Sequence, residues 1–285
     1  MKRILSVLLI AGITFGATAQ DKKIRGGLVT GFTINNIATN STKIQKAGVG
    51  GGFVIGMTGE YNINQNIALS TGLEFNIESF TLNYGSDDDT KLTDVFYAYD
   101  DTDINKFDGK VIDPKGNKAF LLHTRKFRAK YVTLPIFLKF QTNMIGDFKY
   151  YGKMGLRTSV LAGIRMDDKG YESIVLSNDK DFKRVGSSTL TKENMKPDAF
   201  KKGLSLIKMG IGIYGGAEWN FTGNTNLYAE MGFNFGVTPV LWQESGHLVE
   251  TEAKNGGNTE YDSVGSLDVK SNPMHTFELK VGLLF

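Results

Sequence analysis

The natural place to look for chemistry is the three histidines, His123, His247 and His275. An imidazole catalyses when a nucleophile or carboxylate is held against it, and the one candidate partner is Ser271, four residues before His275. Nearness along the chain gives that pair no special geometry, so each histidine reads as a satisfied rim residue and no catalytic residue is assigned. Acidic runs at Asp87-Asp88-Asp89 and at Asp100, Asp101, Asp103, Asn105 and Asp108 raise the question of calcium. In the second run Lys106 stands where a turn glycine belongs, and no glutamate follows at the twelfth position. Both read as solvated loop, with no metal and no cofactor. Gly50-Gly51-Gly52 precedes a strand pattern, not a helix, and is no phosphate loop. Asp262-Ser263-Val264 resembles a tripeptide that some exported proteins carry as a glycosylation site, and such tripeptides are common by chance.

A stronger signal is a set of charges at alternate positions. Arg25, Lys139, Lys153, Arg157, Lys208 and Lys280 share a spacing with Glu60, Glu74, Glu78, Glu218, Glu230 and Glu278. Each stands one residue from an apolar neighbour, on the opposite face of a period-two segment. The apolar faces run Ile24, Leu28, Phe32, Ile34; Val49 to Tyr61; Ile67 to Ile77; and Val132, Leu134, Ile136, Leu138, Phe140. Four more run Tyr150 to Ile164, Ile207 to Trp219, Leu227 to Val237, and Phe277, Leu279, Val281, Leu283, Phe285. Each apolar stripe carries no charge. A water-soluble barrel would need charges on its outer face nearly everywhere. Six acids against six bases suit a narrow polar lumen instead, because a buried charge is costly without a partner. The expected fold is therefore all-β, an eight-stranded antiparallel up-and-down transmembrane β-barrel with its apolar face towards lipid.

Composition agrees. The chain has 285 residues, 34 Gly, 19 Phe, 11 Tyr, only 5 Pro and no Cys. It is too apolar for a disordered protein, and without cysteine it has no disulfide frame, thiolate metal site or lipidated N-terminal Cys. A formal net charge of +3 makes no case for nucleic acid as a partner. Residues 1–19 read as a signal peptide: Lys2 and Arg3, an apolar stretch from Ile4 to Phe15, then Ala17-Thr18-Ala19 for cleavage. The stretch is shorter than a membrane-spanning helix requires. The barrel domain is then 20–285.

Connections are expected to alternate. Asn62–Asn66, Gln141–Lys149 and Thr222–Asn226 are short; Asn36–Gly48, Gly85–Leu122, Met166–Gly203 and Leu241–Asn272 are long. Short turns at the periplasmic end and four long extracellular loops are the habit of outer-membrane barrels. Lys110–Leu122, centred on Asp113-Pro114-Lys115-Gly116, reads as a hairpin above the membrane. A ten-stranded alternative would let Leu92–Asp100 and Lys118–Phe127 cross as well. Tyr61, Phe140, Tyr150, Trp219, Phe221 and Phe285 would form an interfacial girdle. Lys126, Arg128 and Lys130 share the outward parity of Val132, where stacked cations could meet lipopolysaccharide phosphates. An eight-stranded lumen is filled by side chains, Tyr214, Tyr228 and Phe137 among them, so no wide pore is expected.

The segment Tyr131-Val132-Thr133-Leu134-Pro135-Ile136-Phe137-Leu138-Lys139-Phe140, followed by Tyr150-Tyr151-Gly152-Lys153-Met154-Gly155, resembles the PorT-like outer-membrane β-barrel family of Bacteroidota. The resemblance implies a barrel fold and an outer-membrane place, and it brings in an association with protein secretion that no residue motif carries. The last strand, with Phe277, Leu279, Val281 and Leu283 leading to Phe285, is similar to the signal read by barrel-insertion machinery. The expected role is non-enzymatic, with large surface loops for interaction or adhesion. The alternatives are an accessory part of a secretion apparatus and a lipid A-modifying enzyme. Expected partners are outer-membrane lipid and lipopolysaccharide, the insertion machinery, and surface or secretion-machinery proteins.

Overall fold

Successive side chains of a strand point to opposite faces, so one sheet can meet two unlike surroundings. The long strands of this chain use that freedom throughout. A computed structural model describes residues 23–39, 44–84, 93–104, 118–176, 181–196, 202–223, 225–243, 247–253, 260–267 and 269–285. The expected signal peptide, the Asp87–Asp89 run, Asn105, Lys106, Asp108 and Asp113–Gly116 lie outside these residues.

Seventeen strands occur among the described residues. The first six are β1 (Ile24–Thr39), β2 (Ile44–Lys46), β3 (Gly50–Asn62), β4 (Ile67–Tyr84), β5 (Thr93–Asp100) and β6 (Asp103–Ile104). Then come β7 (Lys118–Gln141), β8 (Phe148–Val175), β9 (Asp181–Arg184), β10 (Leu190–Met195) and β11 (Lys202–Leu204). The last are β12 (Ile207–Thr222), β13 (Thr225–Gly236), β14 (Leu241–Gln243), β15 (Val249–Ala253), β16 (Glu260–Ser266) and β17 (Val269–Leu284).

Every ladder between these strands is antiparallel. β1 pairs with β3 on one side, Leu28 opposite Met57, and with β17 on the other, Leu28 opposite Leu283. The sheet thus closes on itself and removes the exposed edges that would invite aggregation. From β3 the pairing passes to β4, β7, β8, β12, β13 and back to β17. The largest closed circuit is wider than the eight strands expected. At the end of the long connections β7 also pairs with β5, β5 with β15, β15 with β16, β16 with β9, and β9 with β8. That ring contains twelve strands, with the β7–β8 ladder running across it. The ten-strand alternative does not hold as drawn, because residues 118–127 are continuous with the rest of β7 and form no separate strand. Nor do residues 118–122 fold back as one arm of a local hairpin: Leu122 faces Val95 on one side and Gly170 on the other.

Two kinds of interior result. Along the barrel the inward side chains are mostly polar, with a few apolar ones such as Val29, Val54, Phe137 and Leu284 among them. At the end of the long connections they are apolar, in two clusters. The larger holds Phe80, Leu82 and Tyr84 of β4, Val95, Tyr97 and Tyr99 of β5, and Phe120, Leu122 and Phe127 of β7. The smaller fills the space enclosed by β5, β7, β8, β9, β15 and β16 with Phe96, Leu121, Val175, Phe182, Val249 and Tyr261. Phe96 stacks on Phe182 at 4.9 Å. Ile164, expected on the outer face with Val160, turns inward against the larger cluster. The cause is a bulge: Lys130 pairs with Gly163 and Tyr131 with Leu161, so Ala162 is extra and the parity of β8 flips.

Candidate functional site

All twelve charges named above lie inside the barrel, and they sort into four groups that each sum to zero. At the end of the short connections, Arg25 donates to Glu60 and, at 2.7 Å, to Glu218; Lys139 donates to Glu60 at 2.7 Å and also to Glu218. Next, Lys153 reaches Glu230 at 2.7 Å, and the Tyr151 hydroxyl donates to the same carboxylate at 2.9 Å. In the third group Arg157 bridges Glu278 and Glu74, the latter at 2.6 Å, while Lys280 joins Glu74 at 2.7 Å and Glu278 at 2.8 Å. In the last, Lys208 donates to both oxygens of Glu78 at 2.5 and 2.7 Å. Between this group and the third lies a neutral polar layer in which Asn76 donates to Thr133 at 2.8 Å and Thr133 meets Ser159 at 2.8 Å.

Balance within each group matters because one stranded ion in low dielectric costs several kcal/mol. The tyrosines between the groups find room where the opposing strand has no side chain. A Cβ on Gly232 would lie 2.0 Å from the Tyr214 ring, and one on Gly216 would lie 2.6 Å from the Tyr151 hydroxyl. Tyr214 meets Phe137 edge to face at 5.2 Å. A crevice among Glu74, Phe137, Tyr228 and Glu230 measures about 10 Å³, the lower limit for one water. At the short-connection mouth a cleft of about 360 Å³ opens between Lys23, Asn62, Gln65, Gln141 and Lys149.

The outer face is the reverse. Leu134, Ile136, Ile211, Ile213, Leu279 and Val281 are all exposed, as are Phe277 and Leu283, while Phe285 is half-buried. Tyr61, Phe140, Tyr150, Trp219 and Phe221 ring the short-connection end, also exposed. An apolar surface of that extent cannot face water in a monomer. The family model for the outer membrane protein β-barrel domain matches residues 18–241. This chain belongs to that family. Membership gives the barrel its place in the outer membrane and accounts for the apolar jacket. The match ends before β17, the strand that seals the ring.

Solved structures that the chain matches include neisserial surface protein A, at 12% identity and a TM-score of 0.34, covering 92% of this chain and 96% of that one. Ail, the attachment invasion locus protein of Yersinia pestis, has 12% identity and a TM-score of 0.28, over 93% and 100% of the two chains. The outer membrane protease OmpT of Escherichia coli has 11% identity and a TM-score of 0.27, over 95% and 99%. Among curated proteins nothing matches.

The histidines stay apart. His123 is exposed and meets the Tyr171 ring edge to face at 5.3 Å. His247 is buried, and His275 stacks on Phe233 at 6.1 Å. Ser271 belongs to the same strand as His275, β17, and not to a loop beside it. Asp100 and Asp103 close a two-residue hairpin between β5 and β6, with Asp101 in the left-handed region at φ 51°. Asp262 stands in β16, paired across to Asp181 and Glu252, so the tripeptide it begins is strand and not loop.

Three features escape a reading of the sequence. Phe148, inside an expected turn, extends the girdle by stacking on Tyr150 and Trp219 at 6.4 Å each. Tyr151, opposite the apolar Tyr150, is a lumen hydrogen-bond donor. Arg125 forms a two-pronged salt bridge to Asp168, 2.7 Å at each contact, within the apolar end and against the rings of Tyr84 and Tyr97. Burial opposes the charge on Arg125, but the Asp168 carboxylate outweighs it and raises the guanidinium pKa; burial likewise pushes the Tyr84 phenol up. The only advance signal was the cross-strand register of Arg125 with Asp168, which alternation alone does not supply.

Proposed function

We propose that this protein is a sealed, non-enzymatic outer-membrane barrel that carries a folded platform at the cell surface for contact with partner molecules. In this reading β1, β3, β4, β7, β8, β12, β13 and β17 cross the membrane as eight strands. The strands β5, β9, β15 and β16, built on the upper parts of β7 and β8, stand outside. The signal peptide ends at residue 19, and the final strand through Phe285 serves recognition by insertion machinery. The PorT-like likeness fits the same arrangement.

The observation that carries this reading is the change of interior along one chain. Four self-neutral charge groups fill the lumen, which argues against conduction or passage of a substrate. Beyond the apolar band the chain builds a second, densely packed apolar core that the barrel itself does not need. A core of that kind holds a surface in shape, which suits adhesion or protein contact.

Because the chain has no cysteine, single thiols can test the orientation. With Glu252→Cys in β15, a membrane-impermeant maleimide should label intact cells; with Asn143→Cys in the β7–β8 turn it should label only lysed ones. The opposite pattern overturns the proposal. Planar bilayers should give no porin-like current. Capture of secretion-machinery subunits from solubilised membranes would favour the accessory role over adhesion, and an altered lipid A profile on deletion would favour an enzyme.

A further inference from the structure

The lumen balances each of its charges, and one patch outside does not. On the outer face of β7, Lys126, Arg128 and Lys130 follow one another at alternate positions directly above Val132, an exposed residue of the apolar band. The neighbouring strand β8 adds Arg165 and Lys169, both exposed. Arg165 is the cross-strand partner of Arg128, and Lys169 that of Thr124. Two guanidiniums directly opposite each other repel. The one acid in these two columns, Asp167, accepts from Arg128 at 2.6 Å and from the Asn194 amide at 3.0 Å. Arg165 makes its one described side-chain hydrogen bond to the Ile164 carbonyl, which carries no charge to offset it. In these two columns five cations face one carboxylate, an excess of positive charge that the exposed Glu193 on the adjoining β10 only partly offsets.

The patch is also one-sided. Elsewhere at this end the outward side chains include Val49, Leu206 and Val237, all apolar. The cation Lys46 is engaged by the Asn36 side-chain oxygen. A solubilising fringe would be spread around the whole rim. A cluster confined to two strands, continuous below with the lipid-facing band, stands where acyl chains give way to phosphates.

We propose that the outer face of β7 and β8 is a binding site for the phosphates of outer-leaflet lipid A, held by Lys126, Lys130, Arg165 and Lys169. Arg128 is the positioning residue: tied to Asp167, it holds the two columns in register while the other cations stay free to donate. The phosphate is the occupant that charge and height both select, since its charge-assisted hydrogen bonds relieve the opposed guanidiniums. The inference rests on the reading that the apolar band lies in lipid, and it adds a specific lipid headgroup to that reading.

The test uses the full-length protein purified from outer membranes in mild detergent, with bound lipopolysaccharide measured by mass spectrometry. Lys126→Ala, Lys130→Ala and Arg165→Ala combined should lower the lipid retained by roughly tenfold. The charge-keeping Lys126→Arg and Lys130→Arg pair should hold it at the normal level. Added bisphosphorylated lipid A should bind the unaltered protein, whereas lipid A stripped of phosphate should bind no better than it does to the triple variant. Equal retention by the triple variant, or equal binding of phosphate-free lipid A, overturns the proposal. Heat-modifiable migration of the triple variant on detergent gels reports the folded barrel separately. A barrel that stays folded but loses lipid supports the site, and a protein soluble without detergent sinks the membrane reading itself.

Discussion

β7 passes through two regions that are opposites of each other. From Gln141 to Val132 its inward residues include Lys139 and Thr133, and its outward ones are Phe140, Leu138, Ile136, Leu134 and Val132. From Tyr131 to Lys118 the inward residues include Tyr131, Phe127, Leu122 and Phe120, while Lys130, Arg128 and Lys126 face out. β7 keeps its backbone and its side-chain parity across that line, while its pairing with β8 shifts there by the one extra residue of the Ala162 bulge. What changes is the solvent outside. Where hydrocarbon surrounds the sheet, the polar groups are driven inside and must satisfy one another; where water surrounds it, the hydrophobic effect refills the interior with apolar side chains. On the proposed orientation one strand records both solvents, with the membrane surface falling between Val132 and Lys130.

The two regions should respond to damage in different ways. Removing a cation from the lumen is the harshest change, because its partners cannot reach water. Arg157→Leu leaves Glu74 and Glu278 sharing Lys280 alone, and it should destabilise the barrel by about 3–5 kcal/mol. The expected sign is loss of the compact, heat-modifiable band at a lower temperature. At the apolar end a lone change of Arg125 would strand Asp168 just as harshly, but the pair stands by itself and can be removed whole. There, replacing Arg125 and Asp168 together by Met and Leu removes both charges at once, and should be close to neutral by the same measurement. If the paired replacement costs as much as Arg157→Leu, the apolar end depends on its ion pair as the lumen does, and the contrast between the regions is wrong.

That contrast explains what alternation could reveal. In the barrel each strand has one uniform stripe, so the all-β, antiparallel architecture and the face on which Glu74 or Arg157 stands follow from period two. Which partner each charge meets does not follow, since Arg157 and Glu278 are brought together only by closure of the whole ring. The number of strands in the closed circuit was hidden for a different reason. Val95, Phe96, Tyr97 and Ala98 are all buried, because β5 is pressed between the two apolar clusters. A strand covered on both faces loses its alternation and reads as a hydrophobic stretch of loop. The bulge at Ala162 leaves no mark in composition, which is why Ile164 was expected on the wrong face. The Arg128–Arg165 opposition was out of reach too, since it depends on a register that this bulge resets.

A charge moved across the line sharpens the comparison further. Leu134→Lys sets an ammonium in the lipid band, where the cost should be about 2–4 kcal/mol. Lys130→Leu makes the reverse exchange four residues away, at the surface, and should change stability by less than about 0.5 kcal/mol. Urea unfolding in lipid vesicles measures both. Equal effects would mean that the band ends somewhere other than between Val132 and Lys130.

The smallest effect belongs to the added ring of strands that the proposed orientation places outside the membrane. Asp94, beside the Tyr261 hydroxyl, has its pKa raised, chiefly by burial, while Tyr261 is pushed up to about 12, by burial first and then by the Asp94 charge. An acid that titrates higher when folded holds its proton in the native state after the unfolded chain has released it. Stability of this ring is therefore full below the unfolded carboxylate pKa and falls as pH rises through the interval up to the folded value. Asp94→Asn should abolish that slope and stabilise the ring near neutrality by up to about 1 kcal/mol. The check is limited proteolysis of the β15–β16 segment between pH 4 and pH 7, in wild type and variant, under conditions that leave the barrel folded. A wild-type segment that becomes more resistant as pH rises would reverse the sign, and would mean that Asp94 gains more from the Tyr261 hydroxyl, and then from His123 and Arg184, than it loses by burial.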